Sequence, residues 1–206
     1  HGKPLIAWSI ECAISSNLFE KVYVSTDDEE IASIAKEYGA NIPFLRPAEI
    51  SDDFAVDKDV IEHFLIWMNS QNIYCEYLCY LYATVPFITH KTLMGCKEKV
   101  LSKDASLSMV VSSFDTNPLW ALTNNKEGVV KYNFPEYVKK RSQDLPNFFH
   151  DAGQCYFYNL KKWPKEGLIY GYEIPRILSH DIDTIEDFKI AEEIHPIVMK
   201  KFNELD

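Results

Sequence analysis

Glycine is scarce in this chain, with seven in 206 residues, and no Gly-rich loop that could wrap a phosphate in backbone amides occurs in the sequence. Basic residues are also few: 21 Lys and Arg stand against 31 Asp and Glu, for a formal net charge of −10. The longest basic run is Lys139-Lys140-Arg141, which excludes the broad cationic face of a nucleic-acid binder. A small anionic substrate is not excluded, because a few clustered cations or a bound metal set the local field. No apolar run approaches the roughly 20 residues that cross a bilayer, so no membrane partner is expected. The five cysteines are scattered and odd in number. They read as reduced thiols, which points to a cytoplasmic protein. Cys75 and Cys79 have no second pair with which to build a zinc site.

What is present is a normal core. Hydrophobic residues make up 47% of the chain, enough for a single domain over residues 1–206. Pro4 opens a first helix through Ala13, and Lys21–Ser25 reads as a short strand. Thr26 or Asp27 caps a second helix whose inner stripe is Ile31, Ile34 and Ala35, ended by Gly39. Asn41–Leu45 reads as strand, Asp57–Asn69 as helix and Tyr77–Tyr82 as strand. A helix runs from Thr89 to about Ser102, and Leu107–Ser112 is strand. This alternation predicts an α/β fold of Rossmann-like type, a mostly parallel sheet with helices on both faces. Residues 113–149 break the rhythm: Leu119–Thr123 and Val129–Tyr132 flank a turn and form a β-hairpin insertion. Cys155–Tyr158 returns to strand, and a last helix containing Pro196 begins after Thr184.

Ligands of open α/β sheets sit beyond the carboxyl ends of the parallel strands. Three polar groups fall there: Ser25-Thr26-Asp27, Tyr82-Ala83-Thr84 and Asp181-Ile182-Asp183, the last after the apolar Ile177-Leu178. Two readings fit Asp181 and Asp183. Two apart in extended backbone, they face one cation, the hard-oxygen arrangement that suits magnesium beside a phosphate. Alternatively they form a solvated turn in which Asp183 or Thr184 caps the last helix. Arg141 either clamps a carboxylate or phosphate or lies on an exposed basic loop. His150-Asp151 is a hydrolase dyad or, with no nucleophile elbow nearby, a structural hydrogen bond. Arg46 either meets a ligand or holds the acidic loop Ser51-Asp52-Asp53.

The ordered set Gly2-Lys3-Pro4-Leu5-Ile6, Val24-Ser25-Thr26-Asp27-Asp28, Leu45-Arg46-Pro47, Tyr82-Ala83-Thr84-Val85-Pro86 and Asp181-Ile182-Asp183-Thr184 resembles the CMP-sugar synthetases that activate nonulosonic acids. Arg141-Ser142-Gln143-Asp144-Leu145, followed by His150-Asp151-Ala152-Gly153, is most similar to the pseudaminic acid cytidylyltransferase branch. Tyr82 stands where the sialic acid enzymes usually carry Gln, and Asp57 where they carry Ser. The resemblance implies transfer of the cytidylyl group of CTP to an acidic nine-carbon sugar, with release of pyrophosphate. It implies a magnesium ion, or manganese, on Asp181 and Asp183 as the catalytic pair. Arg46, Ala55, Asp57, Tyr82, Ala83 and Thr84 would bind the nucleotide. Arg141, Gln143, His150 and Asp151 would bind the sugar, and the insertion would mediate a homodimer. Neu5Ac, legionaminic acid and a 3-deoxy-octulosonic acid are alternative acceptors for the same chemistry. In this family a strand and a basic, glycine-bearing loop hold the triphosphate. Upstream of His1 we therefore expect a strand of about 5–6 residues and such a loop. A protein without them would be a binding or scaffold protein on the same fold.

Overall fold

The computed structural model describes residues 1–52, 54–165 and 167–203; Asp53 of the acidic loop, Glu166 and residues 204–206 lie outside the described residues. Helix α1 spans Leu5–Ser15 behind Pro4 and buries Ala7, Ile10 and Ala13. Helix α2 spans Glu29–Glu37. Its cap is Asp28, not Thr26 or Asp27: the Asp28 carboxylate accepts from the Ile31 N–H at 2.9 Å. Thr26 Oγ1 instead accepts from the Asp28 N–H, and Asp27 is paired with Arg46. The helix buries Ala32 and Ala35, whereas Ile31, expected inside, is 41% exposed.

The strands expected at Lys21–Ser25 and Asn41–Leu45 meet in parallel at two isolated points, Tyr23 with Asn41 and Thr26 with Leu45. Pro43 lies between them without an N–H to donate, so no continuous ladder forms. Helix α3, Asp57–Ser70, follows. Strand β1 is Tyr77–Leu81. Helix α4, His90–Ser102, is capped by Thr89, which accepts from the Thr92 N–H. Strand β2 is Leu107–Ser113, and β3, Leu122–Asn124, pairs with β4, Val130–Tyr132, as the expected hairpin.

Strand β5 runs from Phe149 to Asn159, far longer than Cys155–Tyr158. Strand β6, Ile169–Ile174, was not expected from the sequence. The sheet order is β1-β5-β2-β6. β5 is antiparallel to both β1 and β2, and β2 is parallel to β6. The α/β class holds, but the sheet is mixed. The insertion supplies the reason: it leaves β2 at Ser113 and returns opposite it at Phe149, without the crossover that a parallel neighbour needs.

One sheet face carries Cys79, Val110, Cys155, Phe157 and Ile174 against Leu93, Cys96 and Val100 of α4. Ala191 and Val198 of helix α5, Ile185–Asn203, complete that cluster. Each fully buried side chain such as Leu93, Val100 or Phe87 contributes roughly 1.5–3 kcal/mol relative to exposure. Alternation sends Tyr80 and Tyr82 to the other face, where α3 meets them. Pro196 lies inside α5 and does not divide it. Among the described residues no helix is long and apolar enough to cross a membrane.

Candidate active site

The strand directions set one edge of the sheet apart. The carboxyl ends of β1, β2 and β6 and the beginning of β5 lie together there. Two of the three groups expected here reach this edge, Tyr82-Ala83-Thr84 after β1 and Asp181, which Thr84 contacts; His150-Asp151 joins them at the start of β5. The loop before Asp181 is not strand, however. Pro175 ends β6 and opens a short 3-10 turn, Arg176–Leu178, where an apolar strand end was expected.

Asp181 is half-buried. Its Oδ1 accepts from Thr84 Oγ1 at 2.8 Å and from the Ile182 N–H at 2.9 Å. Asp183 is exposed. Neither caps the last helix. Thr184 does so: its Oγ1 accepts from the Asp187 N–H, and its own N–H and O–H donate to the Asp187 carboxylate. Those donors hold the Asp187 carboxyl below its ordinary pKa. Among the described residues no group of three or more His, Cys, Asp and Glu side chains could enclose a metal. A pair of carboxylates fits a magnesium ion that keeps waters and substrate phosphates as its other ligands.

Asp57 is the first residue of α3. Tyr80 O–H donates to its Oδ1 at 3.0 Å and Tyr82 O–H to its Oδ2 at 2.5 Å. Asp151 is held in the same manner. Its Oδ2 accepts from Tyr156 O–H at 2.9 Å and its Oδ1 from the Gly153 N–H at 2.9 Å. The rings of Tyr80, Tyr82 and Tyr156 stand 5.5–6.4 Å apart in pairs and link the two carboxylates across the sheet face. Burial pushes all three phenols well above their ordinary pKa. The Asp57 charge and hydrogen bonds add to this for Tyr80 and Tyr82, and the bond to Asp151 adds to it for Tyr156. Neighbouring Tyr158 is pushed up to about 12, mainly by burial. At neutral pH these phenols keep their protons and serve as donors.

Arg46 holds the loop rather than reaching outward. Nε donates to Ser51 Oγ at 2.9 Å, Nη1 to the Ser25 carbonyl and Nη2 to Asp27, both at 3.4 Å. It thereby ties Ser25–Asp27 to the turn before α3. It is near enough to Tyr80 to offset part of that phenol's rise. Ala55 lies between this turn and α3, its N–H donating to Asp52 Oδ1 at 2.9 Å.

His150 and Asp151 form no side-chain pair. Neighbours on a strand point to opposite faces, and the His150 Nδ1–H donates to the Asp151 backbone carbonyl at 2.7 Å. Arg141 and Gln143 lie exposed within the insertion. The Arg141 Nε and Nη2 donate to the two carboxylate oxygens of Asp144, at 2.8 and 3.1 Å. Within one chain they do not join the tyrosine–carboxylate group. Sequence reasoning missed Tyr80, Tyr156, Gly153 and Gln154. Tyr80 and Tyr156 lie in strand-like aromatic runs, and Gly153 and Gln154 adjoin the His150-Asp151 motif without a role of their own.

Carboxylates, bound hydroxyls and a half-buried Asp gather at the edge of the sheet where α/β folds place their ligands. The chain belongs to the cytidylyltransferase family, whose model matches residues 1–159. It is 37% identical over 202 residues to the pseudaminic acid cytidylyltransferase of Campylobacter jejuni subsp. jejuni serotype O:2, covering 95% of this chain and 87% of that one. It is 42% identical over 228 residues to the N-acylneuraminate cytidylyltransferase of Escherichia coli O18:K1:H7, covering 99% of this chain and 52% of that one. The fold is shared with a CMP:2-keto-3-deoxy-manno-octonic acid synthetase complexed with CTP. There the TM-score is 0.63 and the identity 13%, over 97% of this chain and 89% of that one.

Proposed function

We propose that this enzyme transfers the cytidylyl group of CTP to pseudaminic acid, giving the CMP-sugar and pyrophosphate. The observation that carries the choice of sugar is the bond between Tyr82 and Asp57. These are two of the positions at which the chain departs from the sialic acid pattern, which has Gln and Ser there. Their direct contact makes the departures one coordinated change rather than two unrelated ones. The C. jejuni relative, matched along most of both chains, supports the same choice.

In this reading Asp57, fixed by two phenols, faces the nucleotide with Ala55 and the Tyr82–Thr84 segment, while Arg46 keeps their loop in place. Asp151, fixed by Tyr156 and Gly153, and His150 face the sugar. The anomeric hydroxyl attacks the α-phosphate and pyrophosphate leaves on the opposite side. Asp181 and Asp183 would hold a magnesium ion, which supplies a positive charge to the α-phosphate and the leaving group. Thr84 and the Ile182 N–H keep the Asp181 carboxylate aimed before substrate arrives.

The insertion is the proposed homodimer contact. It exposes Leu122, Val130, Tyr132, Phe134, Phe148 and Phe149, apolar side chains that a partner subunit would cover. Arg141 and Gln143, carried on that insertion, would then enter the partner's sugar pocket.

The test is pyrophosphate release by the full-length protein with CTP, magnesium and each of four acceptors: pseudaminic acid, legionaminic acid, Neu5Ac and 3-deoxy-manno-octulosonic acid. Pseudaminic acid should give the highest kcat/KM by about tenfold or more. A larger value for another acid overturns the choice of sugar, and release with none of them overturns the reaction.

A further inference from the structure

Strand β5 does not pass straight through the site. Met109 of β2 opposes Tyr156, yet Val111 opposes Asp151, so β5 uses more residues than β2 over the same stretch. The surplus falls between Asp151 and Tyr156, where Gly153 takes a left-handed conformation, φ +61°. A bulge of this kind re-aims the side chains around it.

Its consequence is seen at Gln154, which is 1% exposed. The Gln154 carbonyl accepts from the Tyr82 N–H at 3.0 Å, and its side-chain Nε2 donates to the Leu178 carbonyl. One buried residue thus ties the segment carrying Thr84 to the segment leading into Asp181. Its Oε1 is buried and has no hydrogen-bond partner among the described residues. An unpaired buried oxygen is unfavourable, so an amide here is a poor choice for packing alone.

Gly153 completes the arrangement. A Cβ at this position would stand 2.9 Å from Asp181 Oδ2. The carboxylate cannot simply swing away, because its Oδ1 is held by Thr84 and by the Ile182 N–H.

We infer that Gln154 and Gly153 are positioning residues for Asp181. The Gln154 amide fixes the backbone that delivers the carboxylate, and Gly153 leaves the space in which the carboxylate lies. The inference rests on the reading of Asp181 as a metal-holding residue, and its test separates the two.

The experiment is a titration of the full-length protein with Mn²⁺ in the presence of CTP, with free Mn²⁺ read by electron paramagnetic resonance. Gln154→Leu keeps the volume and removes both the donor and the unpaired oxygen, so the melting temperature should stay within about 4 °C of wild type. The Mn²⁺ Kd should rise about 10- to 100-fold, the usual effect of losing a group that orients a metal ligand. Gly153→Ala should do the same by displacing the carboxylate. In an Asp181→Asn background neither change should weaken Mn²⁺ binding further, which a general loss of structure would not reproduce. Gln154→Met, also without the amide, replaces Gln154→Leu if that variant does not fold. Wild-type Mn²⁺ affinity in Asp181→Asn overturns the reading of Asp181. Loss in Asp181→Asn with wild-type affinity in the Gln154 and Gly153 variants overturns the positioning proposal.

Discussion

Asp181→Asn should lower turnover of the full-length enzyme by about 10³-fold while leaving the protein folded. The substitution keeps the shape of the side chain, and the amide oxygen can still accept from Thr84 and the Ile182 N–H, the two donors that now meet Oδ1. What disappears is the negative charge. Several kcal/mol of transition-state stabilisation is the ordinary scale for a metal that neutralises a reacting phosphate, and about 1.4 kcal/mol corresponds to tenfold in rate. Thermal melting and kinetics on the same preparation check both halves. A variant with near-normal, magnesium-dependent turnover would remove Asp181 from the metal site.

The second large effect is a gain. Arg141→Ala and Asp181→Asn should each be nearly inactive when assayed below the wild-type KM for the sugar. Mixing the two after subunit exchange should restore activity to about a quarter of wild type. The reason is geometric. Arg141 is 72% exposed and forks onto Asp144 of its own loop, away from the tyrosine–carboxylate group of its own chain. If the insertion completes a neighbour's pocket, a mixed dimer contains one site with both residues intact and one with neither. Half of the dimers are mixed and half of their sites are whole. A mixture no more active than its components would place the Arg141 function within one chain, or outside the reaction.

Much of the site was legible in the sequence because its residues lie at strand ends, where punctuation is clear. Tyr82–Thr84 follows an apolar run, and the structure joins Thr84 to Asp181 across 97 positions of sequence. The long strand β5 was not legible. His150, Asp151 and the left-handed Gly153 look like loop; pairing with β2 makes His150 and Asp151 strand, and β1 pairs with β5 only from Cys155 onward. Strand β6 was hidden by its own composition: Gly171 lowers strand propensity. That glycine is needed because a Cβ there would stand 2.8 Å from Val111 Cγ2. Tyr80 and Tyr156 carry no local sign of their role, since a buried aromatic ring and a hydroxyl donor are the same residue. The Gln154 contact depends on a bulge, which is a relation between two strands and is absent from either one alone.

The resemblance supplied what periodicity could not, the paired departure at Asp57 and Tyr82. The structure adds their contact, 2.5 Å between the phenol and the carboxylate, and brings in Tyr80 as a second donor. Tyr82 in turn lies 5.7 Å from Tyr156 between ring centres, so packed rings connect the Asp57 and Asp151 carboxylates.

The central claim is that the anomeric oxygen of a nonulosonic acid attacks the α-phosphate of CTP. It is tested most directly by giving the full-length enzyme pseudaminic acid labelled with oxygen-18 at the anomeric hydroxyl and analysing the products by mass spectrometry. The account predicts a CMP-sugar that retains the label in its bridging oxygen, formed with an equal amount of unlabelled pyrophosphate. A CMP-sugar without the label, or CTP cleavage with no nucleotide-sugar formed, would contradict it.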